Sequence, residues 1–331
     1  DYMSVACLPD NSPATLALFE DHAYAFVTDT RVSWDYDEAS ATVTTTYEVE
    51  TEAMEGTETD PLLALYRHQW LHSTAAFLGF SYDSLRGEMK VMEGSSFTTT
   101  MDFPGIMPEL PGIVDRNPGY DSVLMDGYLD DFLNQSYSQL FYRGDTYFGG
   151  KDLGIVSSAL RVADQVGRTD VRDYLLTGLK NRMENWLTAS AGEATDLFYY
   201  NDTWVTLYGY RASFATDREL NDHHFHWGYF VMAAATIAMY DQEWAREENW
   251  GGMVNLLIRD ANSWDRNDEM FPFLRSYDIY EGHCWAAGHG DFGDGNNQES
   301  SSESMQFAAA TALWGSLTGN TAIRDLGAFL Y

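Results

Sequence analysis

The chain has 331 residues, 45% of them hydrophobic, and its 51 acidic against 19 basic side chains leave a formal net charge of −32. This length predicts two or three domains, and the dispersed negative charge disfavours nucleic acid and anionic membranes as partners. The sequence contains no run of about 18 apolar residues, so we expect no membrane span.

The acidic composition also indicates the solvent to which the protein is adapted. The acids are spread along the chain, and lysine occurs only three times. Because salt screens the repulsion between like charges, we expect a salt-adapted, halophilic source, with an ordinary acidic secreted protein as the alternative. The chain begins without Met or a leader, and we expect a mature or excised portion of an extracellular protein.

The first third of the sequence predicts β-structure. Three segments alternate apolar and polar residues and are rich in β-branched and aromatic side chains: 23–37, 40–52 and 87–103. Gly94 predicts a turn within the third segment. Residues 103–120 contain four prolines and three glycines and predict a connector.

Helical periodicity begins near residue 123. Apolar residues recur every three to four positions in seven segments: 128–141, 153–167, 171–189, 226–244, 249–264, 300–319 and 321–331. We therefore predict a β-rich domain over 1–115 and an all-α domain over 116–331. The long polar and aromatic loops between the helices are expected to build a site.

Two cysteines, Cys7 and Cys284, are too few and too far apart for a disulfide framework or a zinc knuckle. We predict that both are free and buried.

The stretch "NDHHFHWGYF" at 221–230 places one carboxylate, three histidines and several aromatic rings at a helix start. Asn221 or Asp222 could cap that helix with its short polar side chain. His223 and His226 would share one helix face and could hold a metal, but the segment lacks HExxH spacing and a third ligand. We expect no metal, and histidines that bind sugar hydroxyls or orient carboxylates.

A second polar cluster, "GNNQESSSES", lies at 295–304. Glu299 and Glu303 are four residues apart, so on a helix both carboxylates would lie on one face, about 6 Å apart. The serines between them could instead simply cap a helix. The preceding loop, which is rich in Gly, Asp, Asn and His, favours a site.

Carboxylates at two helix starts suit acid and base chemistry. Asp222 could donate a proton while Glu299 or Glu303 activates a water molecule, as glycoside hydrolysis requires, and an inverting pair stands roughly 6.5–9.5 Å apart. The acid needs a raised pKa, which neighbouring carboxylates and aromatic walls supply. Aromatic residues make up 15% of the chain, and such rings suit stacking on sugars.

These motifs resemble glycoside hydrolase family 81, the endo-β-1,3-glucanases or laminarinases. "NDHHFHWGYF" is similar to the family's NDHHFHYGYF, and "GNNQESSSES" is similar to its G-x-N-Q-E-S-S-S-E-A. "DIYEGHCWAAG" at 278–288, "LYRHQW" at 65–70 and "YFGGKDLG" at 147–154 also resemble family segments, in family order across nearly the whole chain.

The resemblance implies a multidomain fold with a β-sandwich, an α/β linker and an (α/α)6-barrel catalytic domain. Because the chain is short for that architecture, we expect a β-sandwich remnant followed by an incomplete barrel or a reduced form. It also implies inverting, endo-acting hydrolysis of internal β-1,3 bonds in laminarin-type and curdlan-type glucans. No cofactor or metal is expected, and the protein is expected to be a monomer.

The resemblance further implies Asp222 as general acid and Glu299 as general base, with Glu303 as the alternative base or its assistant. A β-1,3-glucan-binding or sensing protein with little turnover is the second hypothesis. A metal-dependent hydrolase that uses His223 and His226 is the third.

Substrate-binding roles follow from the same motifs. Histidines would contact sugar hydroxyls, and aromatic side chains would stack on sugar rings or simply pack in the core. The candidates are His224, His226, Trp227, Tyr229, Tyr280, His283, Trp285 and Asn297, with Tyr208, Tyr210 and Lys151 as further candidates.

Overall fold

The computed structural model describes residues 2–109, 112, 119–293 and 295–331. It divides into two compact units, one formed by Asp1–Pro104 and Ile279–Gly282 and the other by Gly105–Asp278 and His283–Tyr331. The predicted domain boundary between residues 115 and 116, and part of the predicted connector, lie outside the described residues.

The first unit is mainly β. Its elements are α1 (Pro13–Asp21), β1 (Ala25–Asp37), β2 (Thr42–Ala53), β3 (Leu62–Leu65), α2 (Arg67–Trp70), β4 (Ser81–Ser84), β5 (Gly87–Glu93) and β6 (Ser96–Asp102). Periodicity did not predict α1. The Ser12 hydroxyl accepts from the Thr15 N–H (3.2 Å), and Pro13 occupies the start of the helix, so local capping explains where it begins.

The described strands of this unit form two antiparallel three-stranded sheets. In one sheet β2 lies between β1 and β6, and in the other β5 lies between β3 and β4. The strands predicted at 23–37 and 40–52 are confirmed as β1 and β2. The segment 87–103 turns at Gly94 as expected, but its two halves, β5 and β6, enter different sheets.

The second unit is mainly helical, with short hairpins between the helices. Its elements are α3 (Ser122–Leu133), α4 (Tyr137–Leu140), α5 (Phe148–Gln165), α6 (Thr169–Trp186), β7 (Leu197–Asn201), β8 (Thr206–Tyr210), α7 (Thr216–Glu219), α8 (His223–Tyr240), a π-helical turn (Glu247–Gly251), α9 (Gly252–Asn262), β9 (Tyr277–Asp278), β10 (His283–Cys284), α10 (Ser301–Thr318) and α11 (Thr321–Leu330). Small sheets followed by a helical region confirm the predicted fold class in outline.

Two differences from the predicted elements have local causes. The helix expected at 128–141 is broken into α3 and α4, because Ser136 starts a new helix and its N–H donates to the Gln139 side chain (2.8 Å). The hairpins β7–β8 and β9–β10 were not predicted, because their strands are too short for a clear alternation.

Helix α8 is the centre of the second unit. It packs against α5, α6, α9 and α10, and Trp227, Phe230 and Ile237 on it are fully buried. A helix that is apolar on all sides is buried on all sides. Close packing against α10 occurs at Gly228, where a Cβ would lie 3.3 Å from Phe307. The first residues of α8, which carry the histidine motif, are therefore placed by the core.

Of the two cysteines, Cys284 is buried as predicted, whereas Cys7 is exposed. The prediction is wrong for Cys7 because it lies in an N-terminal segment that is largely exposed. Within the described residues, no helix is both long enough and apolar enough to cross a membrane.

Candidate active site

Asp222 immediately precedes α8 and has a left-handed backbone (φ 60°). Its N–H donates to the Ala286 carbonyl (2.7 Å), and its Oδ2 accepts from the Asn221 side-chain amide (2.7 Å). The side chain makes no capping hydrogen bond to α8, so the alternative that Asp222 caps this helix is wrong. The left-handed turn directs the carboxyl away from the helix N–H groups.

The Asp222 carboxyl is adapted to keep a proton. Its residue is only 5% exposed, and among the described residues its Oδ1 has no hydrogen-bond partner. Burial, and then the negative charge of Glu299, raise the pKa of Asp222 to about 7, while the charge of His223 and the Asn221 hydrogen bond oppose the rise. Glu303 adds a smaller upward contribution to this pKa.

A cleft of about 490 Å³ brings the predicted acid and base together. Its lining residues are Phe214, Ala215, Glu219, Asn221, Asp222, Ala286, Ala287, Phe292, Gly293, Asn296, Asn297 and Glu299. Asp222, Asn297 and Glu299 were predicted from the sequence. The aromatic walls, Phe214 and Phe292, were not predicted, because each lies in an irregular loop without a motif of its own.

Glu299 and Glu303 reach this region in different ways. Glu299 precedes α10, is exposed, and has a left-handed backbone (φ 56°), whereas Glu303 is half-buried in the first turn of the helix. The prediction that both share a helix face is therefore wrong. The capping alternative is confirmed for Ser300, whose hydroxyl accepts from the Glu303 N–H (3.3 Å).

The carboxylate of Glu303 is held by Tyr229, whose hydroxyl donates to its Oε1 (2.6 Å). Burial and this hydrogen bond raise the pKa of Tyr229. The tyrosine ring lies against α5 at two glycines, since a Cβ on either Gly150 or Gly154 would be 3.2 Å from the nearest ring atom. Among the described residues, the Glu299 carboxylate accepts no comparable hydrogen bond.

The three histidines of the motif have different surroundings. His223 Nδ1 lies 2.7 Å from Asp260 Oδ2 and its Nε2 lies 3.1 Å from the Thr216 carbonyl. His226 Nδ1 lies 2.8 Å from the Thr146 hydroxyl. His224 is fully buried, and its ring nitrogens have no hydrogen-bond partner among the described residues.

Burial, and then the charge of His223, lower the pKa of both His224 and His226 to about 3, so these two rings are neutral. Both nitrogens of His223 are already occupied, which argues against its pairing with His226 on a metal. In the described part of the chain, no group of three or more His, Cys, Asp or Glu side chains could hold a metal ion.

Asp260 was missed by the sequence analysis. It is fully buried on α9, and its carboxylate accepts from Trp227 Nε1 (2.7 Å), the Thr206 hydroxyl (2.9 Å) and the Leu207 N–H (2.9 Å), in addition to its contact with His223. The sequence did contain a signal for Asp260, because a carboxylate on the apolar face of a helix is buried and needs hydrogen-bond donors around it.

The other predicted substrate residues are distributed more widely. Trp227 is fully buried and His226 is 1% exposed, so a sugar ring cannot stack on Trp227 in this conformation. Tyr280 belongs to the first unit and lies 6.1 Å from the Tyr47 ring. His283 packs edge-on against Trp285 (4.4 Å), and both are half-buried.

Tyr229 and Lys151 line a second cleft of about 580 Å³, together with Arg143, Gly154, Ile155, Ser158, Arg161, Met232 and Gln306. The Lys151 ammonium lies 4.4 Å from the Tyr147 ring centroid. Tyr208 is buried and Tyr210 is half-buried on β8. Glu303, through Tyr229, is therefore linked to the wall of this second cleft.

Comparisons with known proteins show which family the chain resembles. Residues 124–331 match the model of the glycosyl hydrolase family 81 C-terminal domain. The whole chain is 48% identical to a glucan endo-1,3-beta-D-glucosidase of Acetivibrio thermocellus, covering 42% of it, and 50% identical to one of Thermobifida fusca, covering 43%. A solved structure of a mutant glycoside hydrolase family 81 from Clostridium thermocellum is similar with a TM-score of 0.92 at 48% identity, over 98% of this chain and 44% of that one. The chain spans less than half the length of each of these relatives.

Proposed function

The chain belongs to glycosyl hydrolase family 81, and on that premise we propose that it hydrolyses internal β-1,3-glucosidic bonds of laminarin-type glucans with inversion. The observation that carries the proposal is the placement of Asp222, which is buried and lines the same cleft as Glu299, while burial and the charge of Glu299 raise its pKa to about 7. Its relatives are described as glucan endo-1,3-beta-D-glucosidases.

In the proposed reaction, Asp222 is the general acid. Its Oδ1, which no described residue occupies, donates the proton to the glycosidic oxygen as the bond to the anomeric carbon breaks. The leaving sugar departs as an alcohol and Asp222 is left as a carboxylate. Asn221 holds the other oxygen, Oδ2, and so orients the donor.

Glu299 is the proposed general base. Its exposed carboxylate takes a proton from a water molecule that attacks the anomeric carbon from the face opposite the leaving group. Glu303 is held by Tyr229, which supports an assisting role: its charge helps to keep Asp222 protonated and could orient the same water. Inversion requires roughly 6.5–9.5 Å between the acid and the base.

We also propose that the second unit is part of an (α/α)6 barrel in which the buried helix α8 belongs to the inner ring, and that the first unit is the remnant of a β-sandwich and linker. The first cleft, lined by Asp222 and Glu299, and the second cleft would then hold successive glucosyl units, with Tyr229 and Lys151 as contacts in the second cleft. Phe214 and Phe292 supply apolar faces for sugar rings at the first.

The test is hydrolysis of laminarin, measured as reducing ends, by the unmodified chain and by Asp222→Asn and Glu299→Gln. Each variant should lose at least about 100-fold in kcat while still binding insoluble curdlan, because the proton transfers are lost and the sugar contacts remain. Asp131→Asn, on the exposed side of α3, is the matched control and should leave turnover unchanged.

Retained turnover in either variant would remove that residue from the mechanism. Binding of curdlan without any product from the unmodified chain would favour a glucan-binding protein. Proton NMR of the first product decides the stereochemistry, since inversion releases the α-anomer from a β-linked glucan.

A further inference from the structure

His223, the first residue of α8, is bonded on both sides of its ring. Its Nδ1 lies 2.7 Å from Asp260 Oδ2 and its Nε2 lies 3.1 Å from the Thr216 carbonyl. Both partners are acceptors, and a neutral imidazole has one N–H, so both contacts are hydrogen bonds only if the ring carries two protons. The residue is 1% exposed, which leaves little room for water to replace either partner.

The partner Asp260 is built to remain ionised. Burial alone would raise the pKa of its carboxyl, but the charge and hydrogen bond of His223, then the charge of Arg275 and the Trp227 hydrogen bond, lower it below its ordinary value. Donors from β8, α8 and the loop after α9 surround it. A fully buried carboxylate with this many donors is most stable as an anion paired with a cation.

From these contacts we propose that His223 is a positioning residue for the acid: paired as an imidazolium with Asp260, it fixes the left-handed turn that carries Asp222 and holds a buried positive charge beside its carboxyl. This inference rests on the proposed function of Asp222 as general acid. It assigns a role to a histidine that has no proposed contact with the substrate.

Charged groups from several elements face this pair of neighbours. Asp222 is faced by Glu299 before α10, by Glu303 on α10 and by His223. His223 is faced by Asp260 on α9, with Arg275 3.5 Å beyond it. The negative groups and burial favour the protonated form of Asp222, and His223 is the positive group that opposes them.

The effect of the His223 charge on the pKa of Asp222 has a functional consequence. With burial and two glutamates alone, the acid would keep its proton to a higher pH and would be a weaker donor. The charge of His223 brings its proton affinity back toward neutral pH. A merely structural histidine would stabilise the fold but would leave the pH at which Asp222 titrates unchanged.

The first test compares the pH dependence of kcat/KM on laminarin for the unmodified chain and for the double variant His223→Asn with Asp260→Asn. Asparagine can keep a hydrogen bond between the two positions without the charges. We expect the alkaline limb to move up by about 1 pH unit, because an opposite charge near a carboxyl lowers its pKa by about 1–3 units. An unmoved limb in a folded double variant would overturn the proposal.

The matched control is Asp268→Asn, which breaks another, partly buried ion pair at the end of α9. Asp268 pairs with Arg259 (2.6 Å), the residue next to Asp260, and has no proposed role in chemistry. It should lose stability while the alkaline limb stays in place. A shift of similar size in this control would show that loosening of α9, and not the charge of His223, moves the limb.

A second measurement needs neither a variant nor activity. In the unmodified chain labelled with ¹⁵N-histidine, the nitrogen shifts of His223 at pH 7 should show two protonated nitrogens, whereas His224 and His226 should show neutral rings. A neutral His223 would overturn the proposal whether or not the double variant folds.

A failure of the proposed hydrolysis can be distinguished from a failure of the role proposed for His223. If the chain does not hydrolyse laminarin, the carboxyl carbon of Asp222, assigned with Asp222→Asn, can still be titrated by ¹³C NMR. A titration that moves upward in the double variant supports the role of His223 even without turnover. A titration that does not move rejects that role and says nothing against hydrolysis.

Discussion

Backbone strain at single residues is concentrated around the cleft. Residues other than glycine rarely adopt positive φ, and each such conformation costs on the order of 1–3 kcal/mol unless the surrounding structure imposes it. Several of the positive-φ residues line or flank the cleft: Phe214, Ala215, Leu220, Asp222 and Glu299. At Asp222 and Glu299 the left-handed backbone sets the direction of the carboxyl group. The strained conformation therefore orients the two candidate catalytic side chains.

The raised pKa of Asp222 predicts how stability depends on pH. Its pKa rises from 3.8 to about 7 on folding, so the folded state binds the proton more tightly than the unfolded state. This contribution is fully present below about pH 4 and is lost as the pH rises through 7, by at most about 4 kcal/mol. In Asp222→Asn this loss is absent.

Urea unfolding of the unmodified chain and of Asp222→Asn between pH 5 and 8.5 measures the difference. The stability of the variant relative to the unmodified chain should increase with pH. Parallel curves would contradict a raised pKa at Asp222, and Asp131→Asn, at an exposed carboxyl, serves as the reference variant.

At the scale of elements, α5 and α8 are brought together by small residues. Gly150 and Gly154 lie one helical turn apart on α5 and leave room for the Tyr229 ring, which in turn holds Glu303 on α10. The distance between α5 and α8 therefore affects the position of Glu303 through the Tyr229 side chain. Glycine is unfavourable inside a helix, so its use at these positions is explained by the close approach.

Gly150→Ala tests this coupling. Its Cβ would lie 3.0 Å from the Tyr229 Cβ, and we expect a loss of about 1–3 kcal/mol from overpacking, together with slower turnover as Tyr229 moves from Glu303. The matched variant is Gly127→Ala on α3, where a Cβ meets nothing within 4 Å. It should stabilise the chain by about 0.5–1 kcal/mol and leave turnover unchanged.

Chemical denaturation and the reducing-end assay measure both effects. Equal stability changes in the two variants would show that Gly150 does not pack closely against Tyr229. If Gly150→Ala lost stability but kept full activity, the packing of Tyr229 against α5 would not affect turnover.

At the scale of the whole molecule, charge is the dominant feature. The net charge of −32 opposes compaction at low ionic strength, because like charges that are separated by less than the Debye length repel one another. Many of the ion pairs between described residues involve arginine and exposed carboxylates, including the group of Asp126, Asp130 and Asp170 around Arg168. Such pairs offset only part of the repulsion.

Salt should therefore stabilise this chain. We propose adaptation to high salt and expect the thermal midpoint at pH 7 to rise steadily as KCl increases from 0.1 M to 2 M, over which the Debye length falls from about 10 Å to below about 3 Å. At pH 4, where many carboxylates are protonated, the rise should be smaller. A flat response at pH 7, or the same response at both pH values, would refute the proposal.

The sequence by itself determined those features that depend on local pattern and residue type. Alternation predicted β1 and β2, and the 3.6-residue period predicted α5, α6 and the helices from α8 to α11, because side-chain periodicity reflects the backbone that carries it. Residue type and motif also predicted Asp222, Glu299 and Glu303 as candidate catalytic residues, and these roles stay predictions. Boundaries were less certain, as the break between α3 and α4 shows, since capping by Ser136 competes with a continuing apolar period.

Only the tertiary structure decided which groups meet. The 2.7 Å contact of His223 with Asp260 joins residues 37 positions apart. The left-handed turns at Asp222 and Glu299 and the approach of Tyr229 to α5 depend on packing around α8. The surroundings of the three histidines also differ: His223 contacts two acceptors, whereas burial lowers the pKa of His224 and His226 so that both rings are neutral. Desolvation and hydrogen bonding depend on neighbours that are distant in the chain, so the proton affinity of the acid could not be read from its motif.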